Sequence, residues 1–518
     1  MPADVTTIAR TAGPLQRLSA IGTVWVIALS YVGVELAVSG RYGYFRDEFY
    51  YLACARHLAW GYVDHPPGVA AIAWLSRALF GESLLGIRFL SAVAGGTTIL
   101  LAGRLARVLG GDRWAGTFAA LAVAVTPVFH FLFHILSMNA WDILLWTAVC
   151  LLVAEIAATD RAVLWLWVGV LVGLGLETKH SMAFLVFGLG VGVVLTTARR
   201  WLRDWHLWSG GLITIAIAAP NIWWEIAHGW PTLEFARNAA ADKNAMLSPL
   251  WFVGEQLLQA HPLNLLLLVA GLWFFFTAEQ GRFRLFGWAY LAMFALLVAQ
   301  HGKPYYIAPI YPLMFAAGAV VIAREALTAS GWRWAAVTVL LVTGVAAAPF
   351  TLPVLPITRY VAYATRLGIM PDSGERMPVG VLPQHYADMF GWDDIVSTVA
   401  RVYRDLPPPE QAHAGVFALN YGDAGAIDLL GPRYGLPVPA MSRHNNYFYW
   451  GPDQARMDVL IVIGGRIEDH QKSYADVRVA ATIECGLCMP YENHRRVYVL
   501  RQRIRPVEEI WQTSKLFI

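Results

Sequence analysis

Residues 41–68 read RYGYFRDEFYYLACARHLAWGYVDHPPG, and this stretch decides how the rest of the chain is interpreted. It places an adjacent acidic pair, Asp47 and Glu48, just after a hydrophobic segment and closes with Asp64-His65-Pro66-Pro67. Carboxylates beside a bilayer are costly, so their presence needs a chemical or structural reason. We interpret the stretch as half of an active site that faces away from the cytoplasm. Charged residues from later in the chain are expected to supply the other half.

Composition indicates a polytopic membrane protein. Of the 518 residues, 57% are hydrophobic and only 14% are charged, whereas soluble domains carry about a quarter charged residues. The mean hydropathy is +0.49. The 22 Trp and 21 Tyr suit a protein with many membrane–water crossings. The formal net charge of +3 is small, which argues against nucleic acid as a partner, and no cleavable signal peptide is expected.

Apolar runs of roughly 20 residues predict about eleven membrane-spanning helices. The predicted spans cover residues 20–38, 84–109, 115–136, 140–158, 162–176, 182–197, 207–226, 262–277, 285–299, 307–322 and 334–350. A shorter apolar piece, residues 69–80, is predicted to lie in the interface or to re-enter the membrane.

The distribution of arginine predicts the orientation. One set of alternate connections, together with the N-terminus, is predicted to be cytoplasmic because it carries Arg10, Arg17, Arg104, Arg107, Arg113, Arg161, Arg199, Arg200, Arg203, Arg282, Arg284, Arg324 and Arg333. The opposite, periplasmic side then holds residues 41–68, 177–180, 230–248 and 301–303, and the C-terminal segment. We therefore expect a multi-pass membrane protein with its site on the side opposite to the cytoplasm.

From about residue 359 the composition changes, and strand and helix signals alternate, with strands predicted at 416–419, 459–463 and 497–500. This pattern predicts a soluble α/β domain of roughly 150 residues on the outer side. We accordingly divide the chain into a transmembrane catalytic domain, residues 1–356 with a first outer loop at 40–68, and an extracytoplasmic domain, residues 357–518.

Two short patterns within this domain leave their interpretation open. Tyr421-Gly422-Asp423-Ala424-Gly425 reads as a strand-to-helix turn, and plain turn chemistry is favoured over a phosphate site. Cys485 and Cys488 form a lone CGLC pair that fits a disulfide, a metal half-site or two free thiols. Zinc is disfavoured because no second cysteine pair is present.

The acidic residues of the 41–68 stretch have a structural and a catalytic interpretation. Asp47 and Glu48 can simply open an interfacial helix, where they suit the helix dipole and Arg46 neutralises one of them. Alternatively, one carboxylate is a general base at the membrane boundary, where low dielectric raises its basicity. The Asp64-His65-Pro66-Pro67 segment can be a plain turn, but a turn needs no histidine, and we favour a functional role.

Cations on the predicted outer side are the second group of candidates. Lys179 and His180 end one predicted span, and His301, Lys303, Tyr305 and Tyr306 precede another. A lone lysine at a helix end is most often an anchor whose ammonium reaches the interface. Two lysines on the side that should be poor in positive charge instead suggest binding of a lipid phosphate.

A third pattern is His130 and His134, four residues apart near the outer end of a predicted span. Two histidines at this spacing can share a metal, but they are more often hydrogen-bonded packing residues. Only a third ligand would change that interpretation.

Taken together, these residues resemble the GT-C glycosyltransferases of the family that joins protein O-mannosyltransferases and aminoarabinose lipid A transferases. The resemblance rests on the Asp47-Glu48 pair and the Asp64-His65-Pro66-Pro67 turn in one outer loop, and on Lys303-Pro304-Tyr305-Tyr306 before an apolar span. It covers the predicted spans well and is much looser over the C-terminal domain.

The resemblance implies transfer of a sugar from a polyprenyl-phosphate donor to a lipid, glycan or protein acceptor. It assigns the catalytic base to Asp47 and a supporting role to Glu48. The aminoarabinose branch has Lys-Pro where this chain has His65-Pro66. Donor phosphate binding therefore shifts to Lys303, with Lys179, Arg46 and His301 as helpers.

Further substrate contacts are assigned to Asp64, His65, His180, Tyr305 and Tyr306. No cofactor is implied with certainty, although a divalent metal with Asp64 as a ligand is expected in some relatives. Two other classes of protein remain alternatives, namely a transporter or flippase for a lipid-linked sugar, and a non-catalytic subunit of cell-envelope assembly. Charged residues at one face and the absence of matched halves argue against the transporter.

Overall fold

A computed structural model describes residues 14–243, 248–373 and 375–518, with side chains described from residue 22 onward in these ranges. By their internal contacts the residues divide into two compact units. The first is drawn from residues 1–39, 88–219 and 246–354, and the second from residues 40–87, 220–245 and 355–518. The predicted cytoplasmic N-terminus and Arg10 lie outside the described residues.

The first unit is helical. Its α-helices are Pro14–Val38, Leu84–Val108, Arg113–Ala124, Pro127–His134, Met138–Thr159, Leu164–Thr178, Met182–Leu195, Trp205–Ala227, Pro249–Gln259, Asn264–Thr277, Arg284–Ala299, Tyr311–Val321 and Ser330–Ala347. Leu84–Val108 and Trp205–Ala227 also contribute residues to the second unit. Short 3₁₀ helices are Thr197–Arg203, Glu279–Gly281, Pro304–Ile310 and Ala348–Phe350, and Ile322–Ala326 is a π-helix.

Several helices of the described chain have the length and apolar character of membrane spans. Five of them qualify singly, and up to eight qualify if each of three sharply bent helix pairs is counted as one span. The fold is therefore that of a helical protein with several candidate membrane spans. The count of about eleven spans and the periplasmic orientation stay predictions.

Proline accounts for two of the three bends. Arg113–Ala124 and Pro127–His134 meet at 63°, and Pro249–Gln259 and Asn264–Thr277 meet at 110°. Pro127 and Pro262 stand at these breaks, where the missing N–H and the restricted preceding residue end a helix. The run predicted as a single span over 115–136 is consequently two helices.

Glycines allow helices of the first unit to approach closely. A Cβ atom on Gly271 would stand 2.3 Å from the carbonyl oxygen of Met314, and one on Gly318 would stand 2.1 Å from that of Leu267. Helices Asn264–Thr277 and Tyr311–Val321 thus pack backbone against backbone, which is how apolar helices gain contact where lipid offers no hydrophobic driving force.

The second unit contains shorter helices and a sheet. Its α-helices are Arg46–Arg56, Gly68–Phe80, Pro231–Asn238, Ile357–Arg366, Gln384–Ala387, Trp392–Arg404, Pro408–Gln411, Tyr421–Leu430, Asn446–Trp450, Ile467–Gln471 and Val507–Ser514. Ala239–Lys243 is a π-helix, and Gly431–Tyr434 and Gln454–Arg456 are 3₁₀ helices. Gly68–Phe80 corresponds to the short apolar piece predicted at residues 69–80.

The sheet has five strands in the order β2-β1-β3-β5-β4. They are β1 Ala414–Ala418, β2 Ala440–Ser442, β3 Val459–Ile463, β4 Tyr474–Thr482 and β5 Arg496–Arg503. The first three are mutually parallel, and β5 pairs antiparallel with β3 and β4. The predicted C-terminal sheet is present, although β2 and β4 were not predicted from the sequence.

The first outer loop belongs by its contacts to the same unit as the C-terminal segment. Helix Tyr421–Leu430 packs on helix Arg46–Arg56, and Gly425 permits the approach because a Cβ there would stand 2.7 Å from that of Phe49. The sequence analysis placed this loop in the transmembrane domain. The structure shows that it also packs on the helix that follows β1, Tyr421–Leu430. The division into domains at residues 356 and 357 stays a prediction.

Candidate active site

Glu48 stabilises the start of the helix that carries the acidic pair. Its carboxylate accepts a hydrogen bond from the backbone N–H of Phe45 at 2.8 Å, and the residue is fully buried. An acceptor at this position satisfies one of the free N–H groups of a helix N-terminus. The structural interpretation of the pair therefore describes Glu48 well, and a catalytic role for it stays a prediction.

Asp47 is partly exposed and interacts with the C-terminal segment. Its Oδ1 accepts a hydrogen bond of 2.8 Å from the phenolic hydroxyl of Tyr421. The Tyr421 side chain is buried, and burial followed by the nearby Asp47 charge raises its pKa well above the usual value. Tyr421 therefore stays a hydrogen-bond donor over the whole physiological pH range and fixes one oxygen of the carboxylate.

Arg46 supplies positive charge beside Asp47. Its guanidinium lies 3.9 Å from the Asp388 carboxylate, donates to the Tyr491 hydroxyl, and stands 5.7 Å from the ring centroid of Tyr421. Burial raises the pKa of Asp388 to about 6 although Arg46 opposes the rise. Arg46 is thus engaged by Asp388 and two aromatic rings.

A second tyrosine holds the second acidic residue of the loop. The Tyr50 hydroxyl donates to Asp64 Oδ1 at 2.8 Å, and its ring stacks on that of Tyr421 with centroids 4.7 Å apart. Burial is the main cause that raises the pKa of Asp64. Two stacked phenols therefore present their hydroxyls to two carboxylates.

The C-terminal segment also fixes the backbone of this loop. The side-chain oxygen of Asn446 accepts the N–H of Val63 at 2.6 Å, and the N–H of Asn446 donates to the Tyr50 hydroxyl at 3.3 Å. Because Asn446 follows β2 as Tyr421 follows β1, the loop is held at the carboxyl ends of two adjacent parallel strands. Ligand sites of open α/β sheets lie at this edge.

His65 packs among aromatic rings of the loop. It is buried, its ring stacks on Tyr62 with centroids 4.7 Å apart, and Nδ1 lies 2.8 Å from the carbonyl oxygen of Pro66. Its edge-on contacts with Tyr50 and Tyr51 help to fix those rings. A substrate contact by His65, predicted from the sequence, stays a prediction.

His444 contacts the backbone of Tyr421 in the same unit. Its Nδ1 lies 3.3 Å from the Tyr421 backbone N–H, and its Nε2 lies 2.7 Å from the carbonyl oxygen of Ile518. Burial lowers the pKa of His444 to about 3. A neutral ring with the proton on Nε2 satisfies both contacts, because Nδ1 then accepts while Nε2 donates.

The first unit gathers a different group of predicted residues around Lys179. The Lys179 ammonium donates to Asn139 Oδ1 at 2.7 Å and lies 3.5 Å from Asp142 Oδ2. It also stands 5.5 Å and 4.9 Å from the ring centroids of Tyr305 and Tyr306. Lys179 is buried in these contacts, so it is no interfacial anchor, and Asp142 already balances its charge.

Lys303 is the N-cap residue of the 3₁₀ helix Pro304–Ile310, which carries Tyr305 and Tyr306. Its side chain is partly exposed. His301 and His180 are exposed, and His301 adopts a left-handed backbone conformation with φ of 50°. Lys303 is consequently more accessible than Lys179, while the predicted meeting of either lysine with Asp47 stays a prediction.

His130 and His134 are held by a carboxylate that the sequence did not single out. Nδ1 of His134 lies 3.0 Å from Glu35 Oε2, and Nδ1 of His130 lies 3.3 Å from Glu35 Oε1. Nε2 of His134 lies 3.3 Å from the Arg88 guanidinium. The favoured interpretation, hydrogen-bonded packing histidines, describes this buried group.

The described residues offer no group of three or more His, Cys, Asp or Glu side chains that could hold a metal ion. Asp64 Oδ1 accepts the Tyr50 hydroxyl, and a role of Asp64 as a metal ligand stays a prediction. Cys485 and Cys488 form a disulfide, which is one of the three states that the sequence left open.

Sequence reasoning missed Tyr421, Tyr50 and Asn446 as parts of the site. A usable signal was present for Tyr421, since it follows a predicted strand at the edge where ligand sites of α/β sheets lie. Tyr50 donates to Asp64, 14 residues along the same loop, but no spacing pattern marked this pair. The partners of Asn446 are 383 and 396 residues away along the chain.

Comparison with solved structures defines the class of fold. ArnT from Cupriavidus metallidurans, solved in an apo state and bound to undecaprenyl phosphate, superposes with a TM-score of 0.59 at 15% identity, over 92% of this chain and 97% of that one. At this identity the likeness shows the fold alone, which is the GT-C fold of several apolar helices followed by a C-terminal sheet domain.

Sequence comparison then relates the chain to named families. The dolichyl-phosphate-mannose-protein mannosyltransferase family matches residues 64–224. Lipid A galacturonosyltransferase RgtD of Rhizobium johnstonii is 29% identical over 38% of this chain and 41% of its own length. An undecaprenyl phosphate-alpha-4-amino-4-deoxy-L-arabinose arabinosyl transferase of Sodalis glossinidius is 27% identical over 60% of each chain.

These matches support the recognition made from the sequence, a GT-C glycosyltransferase of the family that joins protein O-mannosyltransferases and aminoarabinose transferases. The chain aligns with about two fifths to three fifths of the length of these curated relatives.

The raised pKa of Asp388 predicts a pH-dependent contribution to stability. The folded protein keeps the Asp388 carboxyl proton up to about pH 6, whereas the unfolded chain releases it at about pH 4. Ionisation of Asp388 therefore lowers stability as pH rises through this window. The Asp388→Asn variant has no carboxyl group to ionise at this position. Between about pH 4 and about pH 6, its free energy of unfolding should therefore rise relative to that of the wild type by up to about 3 kcal/mol.

Thermal unfolding of the purified protein in detergent at pH 4.5 and 7.5 measures this difference. Asp405→Asn, which changes an exposed carboxylate of the same unit, is the matched control. A difference between Asp388→Asn and the wild type that does not change with pH would contradict the assignment.

Proposed function

We propose that this protein is an inverting glycosyltransferase that moves a sugar from a polyprenyl-phosphate donor to a lipid, glycan or protein acceptor at the outer face of a bacterial cytoplasmic membrane. The observation that carries the proposal is the partly exposed Asp47 carboxylate, held by Tyr421 at 2.8 Å on a helix whose start Glu48 stabilises. Relatives named for transfer from undecaprenyl-phosphate aminoarabinose, or to lipid A, support the donor and acceptor classes.

In the proposed reaction, an acceptor hydroxyl attacks the anomeric carbon of the donor from the side opposite to the phosphate. The new bond joins the acceptor oxygen to that carbon, and the bond from carbon to the phosphate oxygen breaks. Asp47 takes the hydroxyl proton as general base. Because the displacement is direct, the configuration at the anomeric carbon inverts and no covalent enzyme intermediate is required.

Tyr421 is the positioning residue for this base in the proposal. Its hydroxyl occupies Oδ1 of Asp47, which leaves Oδ2 to face the acceptor. The helix after β1 thereby becomes part of the catalytic machinery.

The departing polyprenyl phosphate gains negative charge, which a nearby ammonium group would stabilise. Lys303 suits this role because it is partly exposed at a helix start, whereas Lys179 is buried against Asp142. We therefore assign the phosphate contact to Lys303. Lys179 is assigned to hold the Tyr305 and Tyr306 rings, and His301 and His180 remain accessory contacts.

Asp47→Asn should reduce transfer by at least about a hundredfold, because an amide cannot accept the proton and general-base catalysis contributes about 10²–10⁴-fold. The measurement is mass spectrometry of envelope lipids, glycans and proteins from a deletion strain that carries each variant. The molecule that loses a sugar in the deletion strain also identifies the acceptor. Asp405→Asn should restore the wild-type pattern, and a fully active Asp47→Asn variant would refute the base assignment.

Tyr421→Phe should lower kcat by about tenfold with an unchanged KM for the donor, since about 1–3 kcal/mol is lost when a carboxylate loses a hydrogen-bond partner. Tyr474→Phe, which removes another buried hydroxyl of the same unit, should change neither quantity. An unchanged kcat in Tyr421→Phe, or an equal fall of kcat in Tyr474→Phe, would leave Tyr421 with a structural role only.

Lys303→Ala should raise the KM for the donor and lower kcat, because both the bound and the departing phosphate lose their cation. Assays with a polyprenyl-phosphate-linked sugar in detergent separate the two quantities. Lys472→Ala, a change at an exposed lysine elsewhere, serves as the control. Unchanged donor kinetics in Lys303→Ala would remove this lysine from the site.

A further inference from the structure

A cavity of about 630 Å³ opens in the first unit, and none of the residues of the candidate active site lines it. Its walls come from helices Pro14–Val38, Leu84–Val108 and Arg113–Ala124, and it is lined by Val24, Trp25, Leu100, Leu101, Gly103, Arg104, Arg107, Val108, Arg113 and Gly116. Its volume lies within the range of small-molecule sites, about 300–1,000 Å³.

Gly103 and Gly116 create the floor of this cavity. A Cβ on Gly103 would stand 2.9 Å from a methyl carbon of Val24, and one on Gly116 would stand 3.4 Å from the carbonyl oxygen of Gly103. The three helices therefore approach closely at these two glycines, which both line the cavity. The groove is therefore a consequence of the packing of the helices.

The lining divides into an apolar part and a basic part. Leu100, Leu101, Val24 and the exposed Trp25 supply hydrocarbon and aromatic surface. Three arginines supply the charge, and no acidic residue of the described chain lines the cavity. A ligand that matches this surface has an apolar body and an anionic head.

Two of the three arginines are available for such a head group. Arg104 donates to the Glu155 carboxylate at 3.0 Å, which compensates its charge. Arg107 and Arg113 are exposed, and within the described residues neither pairs with a carboxylate. Arg113 and Arg333 both lie over the Trp114 ring, at 5.8 and 5.6 Å from its centroid, and add to the positive potential.

We infer that this groove binds an anionic phospholipid, with the acyl chain along the apolar part and the phosphate at Arg107 and Arg113. Basic pockets between membrane helices bind acidic lipid head groups, and each arginine near the surface contributes to the attraction. The same arginines belong to the set that predicts the cytoplasmic side, where such lipids meet positive charge. This lipid is neither donor nor acceptor of the proposed reaction.

Native mass spectrometry of the detergent-purified protein, titrated with phosphatidylglycerol or with phosphatidylethanolamine, tests the inference. Wild type should bind phosphatidylglycerol more tightly. The double variant Arg107→Gln/Arg113→Gln should bind it about thirtyfold more weakly, as expected when two arginine contacts with an acidic lipid are lost. The control Arg161→Gln/Arg199→Gln, which removes two exposed arginines of the same predicted side, should bind like wild type.

Leu100→Trp tests the apolar part independently, because it fills the groove and leaves the arginines intact. It should weaken phosphatidylglycerol binding as well. Equal binding of both lipids, or unchanged phosphatidylglycerol binding in the double variant, would overturn the inference. Loss of undecaprenyl phosphate binding in the double variant, with phosphatidylglycerol binding retained, would also overturn it.

Discussion

The hydrogen bond from Tyr421 to Asp47 is the interaction on which the candidate site depends. A carboxylate next to a membrane stays ionised at little cost only where donors or cations compensate it. In the second unit the Tyr421 hydroxyl donates to Asp47 and the Tyr50 hydroxyl donates to Asp64. Arg46 forms an ion pair with Asp388. The stacking of the two phenols fixes both donors together, so the geometry of one carboxylate is linked to that of the other.

Asp47 and Glu48 are adjacent and carry the same functional group, but their carboxylates have different partners and different exposure. Glu48 points back to the start of its helix and is fully buried, where its carboxylate accepts the backbone N–H of Phe45. Asp47, one residue earlier, points to another part of the unit and keeps partial exposure. The Glu48 carboxylate therefore stabilises the helix start, whereas the Asp47 carboxylate stays partly accessible.

The same rule of compensation orders the charges of the first unit. Lys179 lies against Asp142 and Asn139 beneath two tyrosine rings, and Glu35 lies between His130 and His134. Both of these buried charges have partners of opposite or hydrogen-bonding character, as low dielectric requires. Lys303, Arg107 and Arg113 are more exposed, which leaves them accessible to anionic ligands.

The sequence by itself determined the apolar helices, the C-terminal sheet and the loop with the acidic pair, because hydrophobic period, composition and short motifs are local properties. It missed the bends at Pro127 and Pro262, strands β2 and β4, and the tyrosine partners of Asp47 and Asp64. Only the tertiary structure decided those partners. Tyr421 lies 374 residues from Asp47 along the chain, and no local pattern specifies which distant hydroxyl will meet a given carboxylate. That choice follows from the packing of helix Tyr421–Leu430 on helix Arg46–Arg56, where Gly425 lets the two approach.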